Sequence, residues 1–132
     1  MINILPIKKA FELKECSDEK RWLIEGLWID QGVGIIGGEP KCCKSFLALD
    51  IAVAVASGNK CLGNFKVPRK GNVLLYPAED ALHIVKRRLE GIANQAQIEL
   101  RNLDIQVITI PLLRLDVNDQ LNCLKNTIKT IR

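Results

Sequence analysis

The sequence predicts an α/β fold, a mostly parallel sheet with flanking helices, and three observations carry that prediction. Residues Gly32 to Gly58 read as strand, turn and helix. Val33, Ile35 and Ile36 make a run that fits a buried strand, Gly37-Gly38-Glu39-Pro40-Lys41 turn the chain, and an almost unbroken apolar segment of helical length follows Lys44-Ser45. The run Val73 to Tyr76 is bounded by Gly71 and Pro77, as a doubly buried strand of a parallel sheet is. A helical stripe over 81–96 then separates it from a further apolar run, Ile105 to Ile110, so strands alternate with helices.

In chain order, residues 1–16 are of mixed character, and their leading Ile and Leu residues read as a short edge strand or a lead-in. SDEKRWLIEGLW, from Ser17, reads as a short helix with Ser17 or Asp18 as N-cap and acidic residues in its first turn. Trp22, Leu23, Leu27 and Trp28 form its apolar patch, and Gly26 weakens its end. Packing accounts for these tryptophans better than a place beside a nucleotide base. The helix from Lys44 is apolar on all sides and ends at Ser57-Gly58 with glycine as C-cap, which predicts burial.

Residues 59–72 contain Gly63, Pro68, Gly71 and four cations, Lys60, Lys66, Arg69 and Lys70, as a surface connector does. Connector cations are usually solvated; contact with nucleic acid is the alternative. The helix from Ala81 to about Ala96 carries Leu82, Val85, Leu89, Ile92 and Ala96 as a stripe, with Lys86, Arg87 and Arg88 mostly off it and His83 at the surface. Leu112 to Leu115 form a linker, and a last helix from Asp116 or Asn118 carries Leu121, Leu124, Ile128 and Ile131.

The chain of 132 residues, 48% hydrophobic and 26% charged, is globular in composition and long enough to bury a core. Its net charge of +4 permits a polyanionic partner without demanding one. Five scattered cysteines form no C-x-x-C pair and no zinc spacing with the only histidine, His83, which reads as a reducing, cytoplasmic setting. The longest apolar stretch, Phe46 to Ala56, is too short to span a bilayer.

The turn reads Gly38-x-x-x-x-Cys43-Lys44-Ser45, which resembles the phosphate-binding loop G-x-x-x-x-G-K-[ST] with cysteine in place of its second glycine. Such a loop turns backbone amides inward, aims a helix N-terminus at phosphate, and adds a lysine for the outer phosphates and a hydroxyl for Mg²⁺. The candidate binding residues are therefore Gly38, Glu39, Pro40, Lys41, Cys42, Cys43, Lys44 and Ser45, with Ser45 on the metal. If Cys43 must adopt a left-handed backbone, the cost is roughly 1–2 kcal/mol, which predicts weakened rather than abolished binding. Cys42-Cys43 as a metal or redox pair lacks other ligands nearby in sequence. The second apolar run ends in Pro77-Ala78-Glu79-Asp80, and parallel strands place such an end on the same edge as Lys44. Glu79 there fits a carboxylate that orients or deprotonates water; Asp80 fits either an N-cap or a ligand of Mg²⁺ through water.

Taken together and in this order, these motifs resemble the RecA-like P-loop ATPases of the RepA type, related to hexameric replicative helicases. The family's W-L-I-E-G-L segment stands here as Trp22 to Leu27, its G-E-P-K-x-x-K-S loop as Gly38 to Ser45, its L-A-L-D helix as Leu47 to Asp50, and its A-E-D motif as Ala78 to Asp80. The resemblance runs from about residue 20 to the end. It implies ATP and Mg²⁺ as cofactors, Lys44 and Glu79 as catalytic residues with Glu79 activating water, a homo-oligomeric ring, single-stranded DNA as partner, and helicase activity in replication or at a mobile element.

Two departures qualify it. Cys43 replaces glycine, and family members continue beyond a helix like the last one into a strand ending in the Walker B aspartate. The expectation is thus a lead-in over 1–31 and a partial RecA-like core over 32–132, incomplete at its C-terminus and open at one sheet edge. Two rival readings stand beside it: a non-catalytic fragment that only docks on partner subunits or nucleic acid, and a P-loop phosphotransferase, which would need an acceptor pocket.

Overall fold

The computed structural model describes residues 4–131, with the side chains of Asp18 and Glu19 outside the description. Expectations for Met1 to Asn3, for Arg132 and for acidic side chains in the first helical turn lie outside it. Residues 4–16 have no regular secondary structure apart from one 3-10 turn at Ala10–Glu12, and Ile4, Leu5, Ile7 and Phe11 are more than three-quarters exposed. No edge strand forms at Ile4 or Leu5.

The segment expected to be one helix divides. Helix α1 is a single turn, Asp18–Arg21, and the chain then forms an antiparallel hairpin of β1 (Trp22–Ile24) and β2 (Trp28–Ile29). Trp, Leu and Ile favour a pleated, half-buried surface, and Gly26 at φ 75° supplies the left-handed residue of the turn. That glycine is a turn residue rather than a weak helix end. Ile24 at the end of β1 is fully buried.

Residues 32–36 were expected to form the first core strand and do not. They have no regular secondary structure and no ladder partners among the described residues, with Val33 and Ile35 almost fully exposed. An apolar run becomes a strand only where another strand accepts its hydrogen bonds. Here the segment lies against β2 instead: Trp28 Nε1 donates to Gly32 O at 3.4 Å, and its ring passes so near Gly34 that a Cβ there would sit 2.5 Å from it.

Helix α2, Lys44–Ser57, follows the loop and closes on Gly58 (φ 78°), whose amide donates to Ala54 O at 2.8 Å. Leu49 and Ala52 to Ala56 are buried, so the all-round apolar character does predict a buried helix. The connector behind it is anchored rather than merely solvated. Cys61 and Phe65 form an antiparallel bridge, and Cys61 and Val67 join Ile24, Ala54 and Val55 in one apolar cluster. Asp50 on α2 fixes this turn by accepting from Leu62 N at 2.7 Å and from the Cys61 thiol at 3.3 Å.

Strands β3 (Val73–Leu75) and β4 (Ile105–Val107) pair in parallel, Val73 opposite Ile105, with helix α3 (Leu82–Gln95) crossing between them. The expected parallel βαβ unit is therefore present, between the second and third runs rather than the first and second. Both strands are shorter than their apolar runs: β3 stops just before Tyr76-Pro77, and β4 stops at Val107, with Ile108 N still donating to Leu75 O at 2.8 Å. A second cluster, Leu49 and Val53 of α2 with Val85 and Leu89 of α3, packs against Leu75 and Ile105 of the sheet. Leu82 begins the stripe but stays exposed, and Ala93 completes it fully buried. Helix α4, Asn118–Thr130, is amphipathic as expected, yet none of its described residues is buried.

Candidate functional site

The loop between Gly37 and α2 is a run of tight turns. Cys42 N donates to Glu39 O at 3.4 Å, and Lys41 and Cys43 both have positive φ, 64° and 62°. Cys43, with ψ 23°, is the N-cap of α2 in the left-handed region, the conformation that the glycine of the consensus enters freely. Alternating hand in consecutive residues turns successive amides toward one side, the geometry of an anion nest. Among the described residues the amides of Cys43, Lys44, Ser45 and Phe46 have no acceptor, as expected for the first turn of a helix whose N-cap side chain makes no bond. Gly38 lies close under Cys42 on the far side of the loop: a Cβ there would sit 2.6 Å from Cys42 Sγ and make that side chain turn away.

Lys44 folds back over this loop. Its Nζ donates to Glu39 O at 2.6 Å and Gly38 O at 3.0 Å and lies 3.6 Å from Cys42 Sγ. The ammonium thus spans the concavity and satisfies the carbonyls that turn into it.

Ser45 opens on a cavity of about 300 Å³ that is also lined by Leu49, Tyr76, Ala78, Glu79 and Asp80. The first turn of α2 and the end of β3 therefore meet, although the strand expected to deliver the loop does not form. Packing of α2 on β3 and β4 through Leu49, Leu75 and Ile105 brings them together. Glu79 is exposed, with no partner among the described residues. Asp80 does not cap α3, whose N-cap is Ala81; its Oδ2 accepts from Arg88 Nη1 at 2.8 Å. The Arg88 guanidinium in turn lies 4.9 Å from the ring of Phe46 on α2. Sequence reasoning missed Arg88 by placing it with the solvated face of α3; its seven-residue spacing to Ala81 and position one before the buried Leu89 was the available signal.

The family model of the AAA domain matches residues 6–131. The chain belongs to this family. No curated protein and no solved structure matches it. The match covers the hairpin, the loop, the parallel pair and α4 together. An AAA domain is an ATPase-type, nucleotide-binding domain, and the small α/β architecture with its parallel pair fits one.

The residues of this AAA domain also fit a magnesium nucleotide on the structure's own terms. The loop offers unfilled amides at a fourteen-residue helix and a lysine held by two carbonyls and the Cys42 thiol, with no carboxylate on it among the described residues. Among the described residues no three His, Cys, Asp or Glu side chains cluster as a metal site, so Mg²⁺ here would rely on Ser45 and the phosphates, with Asp80 at most through water. Among the same residues no helix is long and apolar enough to cross a membrane. All five cysteines are free thiols.

Proposed function

We propose that this AAA domain binds ATP with Mg²⁺ at the loop Gly38–Ser45 and, in its full protein, hydrolyses it as a RecA-like, RepA-type P-loop ATPase. The observation that carries the reading is the meeting of Ser45 with Glu79 and Asp80 in one cavity, directly beside a loop whose Cys43 already has the left-handed backbone. In it, residues 32–132 belong to the ATPase core and 1–31 are the lead-in.

Each side chain has a task. Lys44 exchanges the carbonyls of Gly38 and Glu39 for the outer phosphates, which strengthens its hydrogen bonds by opposing full charge to full charge. The amides of Cys43 to Phe46 line the phosphate cradle with the positive end of α2 behind them. Bound Mg²⁺-ATP supplies the phosphoryl group and a dication that neutralises developing charge. Ser45 Oγ holds the metal side, and Glu79, exposed and unpaired, orients water and takes its proton. Asp80, held by Arg88, reaches the metal side only through water. A ring of subunits, single-stranded DNA as partner and a helicase role in replication or at a mobile element follow from the resemblance to the RepA type; the scattered cysteines suggest a reducing, cytoplasmic setting.

Exposure of Val33, Ile35 and the face of α4 supports the second reading, a chain that acts only by docking on partner subunits. Acceptor-free phosphate release separates the two. Wild type should release phosphate from ATP, Lys44→Ala should lose both binding and release, and Glu79→Gln should keep binding and lose release. Equal behaviour of all three would leave docking as the function.

A further inference from the structure

Helices α2 and α3 pack through Leu49, Val53, Val85 and Leu89, and beside that contact they line a cleft of about 850 Å³. Its α2 wall runs from Phe46 to Ser57, about 16 Å at 1.5 Å per residue, and its α3 wall from Arg87 to Gln95. Small-molecule sites have volumes of about 300–1,000 Å³, a range that includes this one. Ser45 opens on the hollow that holds Glu79, whereas Phe46, the next residue, opens on the cleft. The two therefore lie on different faces of α2, and the nucleotide reading leaves the second unused.

The charged groups of the cleft favour an anion. Asp50 is its one carboxylate among the described residues, and Oδ2 of that side chain already accepts from Leu62 N and the Cys61 thiol. Lys60 and Arg87 are exposed and have no ion pair or hydrogen-bond partner for their side chains among the described residues. Arg88 is held between two elements: Nη1 donates to Asp80 at 2.8 Å and the guanidinium lies 4.9 Å from the Phe46 ring. Its Nε and Nη2 keep donors to offer. A cation and a ring already fixed in place lose little freedom when a ligand arrives.

Gly91 forms the floor. It sits inside α3 with a helical backbone, where glycine is a weak helix former, and a Cβ there would meet nothing within 4 Å. Neither a turn nor a close approach requires glycine at this position. What its missing side chain leaves is open space between Phe46 and Ile92, one helical turn from Arg87.

We propose that this cleft binds a small amphiphilic anion, an aromatic carboxylate, sulfonate or phosphate whose ring lies over Gly91 and whose acidic group meets Arg87, with Lys60 adding to the positive field. Apolar lining from Phe46, Val53, Ala54 and Ile92 takes the body of such a molecule, and a few cations fix its orientation. An uncharged ligand would leave Lys60 and Arg87 unused, and a cationic one would be repelled.

The test titrates the whole chain with 8-anilinonaphthalene-1-sulfonate, an aromatic anion whose emission rises in apolar surroundings, and with N-phenyl-1-naphthylamine, the same rings without the charge. The expected result is saturable binding of the sulfonate, with affinity lower by about tenfold or more for the uncharged compound and for Lys60→Gln/Arg87→Gln. Gly91→Leu, which fills the floor and improves helix propensity, should lose the site without unfolding at a lower temperature, whereas Gly91→Ala, too small to fill it, should keep the site. Millimolar Mg-ATP should leave the probe bound. Absence of saturable binding, equal affinity for the two compounds, or wild-type affinity in the double glutamine variant or in Gly91→Leu would each overturn the proposal. Displacement by Mg-ATP would do the same, by placing the probe in the nucleotide loop. Should Gly91→Leu fail to fold, the double glutamine variant, altered only at exposed side chains, decides the matter alone.

Discussion

Replacing Cys43 by glycine isolates the cost that the loop carries. Cys43 sits at φ 62° and ψ 23° as the N-cap of α2, and its side chain makes no capping hydrogen bond. A residue with a Cβ adopts this conformation at a cost of roughly 1–2 kcal/mol, which glycine does not incur. Glycine gives back about 0.4–1 kcal/mol through the larger entropy of its unfolded chain. The net expectation for Cys43→Gly is a stabilisation of about 0.5–1 kcal/mol, or roughly 2–5 °C in Tm for a domain of this size. Cys43→Ala keeps the Cβ and should show no such gain, and Cys43→Val, branched at Cβ, should lose stability. Because the free protein already has the left-handed backbone, the strain is present before any ligand arrives, and ATP affinity should change by less than about threefold. Urea unfolding of the three variants, with nucleotide titrations alongside, measures both quantities. A Cys43→Gly protein no more stable than Cys43→Ala would refute the strain argument; a large gain in affinity without one in stability would show that the loop becomes left-handed only on binding.

The other perturbations address the frame around the site. Arg88→Met removes the 2.8 Å ion pair with Asp80 and the guanidinium over Phe46. With both ionic partners about one-third exposed or less, the loss should be about 1–2 kcal/mol. A double-mutant cycle with Asp80→Asn should return a coupling of at least about 0.5 kcal/mol, and strict additivity would show that the pair holds nothing. Burial, and next the hydrogen bond and charge of Asp50, push the Cys61 thiol up from 9.0 to about 12. The folded state therefore holds this proton where the unfolded state releases it. Stability from this group is intact below about pH 9 and falls as pH rises toward 12, by at most about 1.4 kcal/mol per unit. Denaturation at pH 8 and pH 10.5 should show that loss in wild type and not in Cys61→Ala.

The sequence revealed what depends on local chemistry. The loop was legible because lysine and serine follow a glycine at fixed spacing, and the need for a left-handed Cys43 could be argued from the missing glycine alone. Burial of α2 was written in its all-round apolar composition, and the parallel pairing of β3 and β4 in two apolar runs around an amphipathic helix. What was not legible depended on partners. Val33 and Ile35 carry the same signal as Val73 and Leu75, yet only the latter find a neighbouring strand. Trp22 to Trp28 have enough apolar residues for a helix patch or a hairpin, and packing of Ile24 against Ala54, Val55 and Cys61 decides for the hairpin. Arg88 looked like solvated charge because its two partners lie on other elements, Asp80 before α3 and Phe46 on α2. Cys61 looked incidental because its bond to Asp50 spans the turn between helix and connector.

The most direct test of the central claim is thermal unfolding of this chain with and without Mg-ATP, in wild type and Lys44→Ala. A ligand that binds only the folded state stabilises it by RT ln(1 + [L]/Kd), about 1.4 kcal/mol at a tenfold excess over Kd, or roughly 4–8 °C here. The account predicts a rise of that order in wild type at millimolar Mg-ATP and none in Lys44→Ala. An unchanged Tm in wild type, or an equal rise in both proteins, would contradict the assignment of Gly38–Ser45 as the phosphate site.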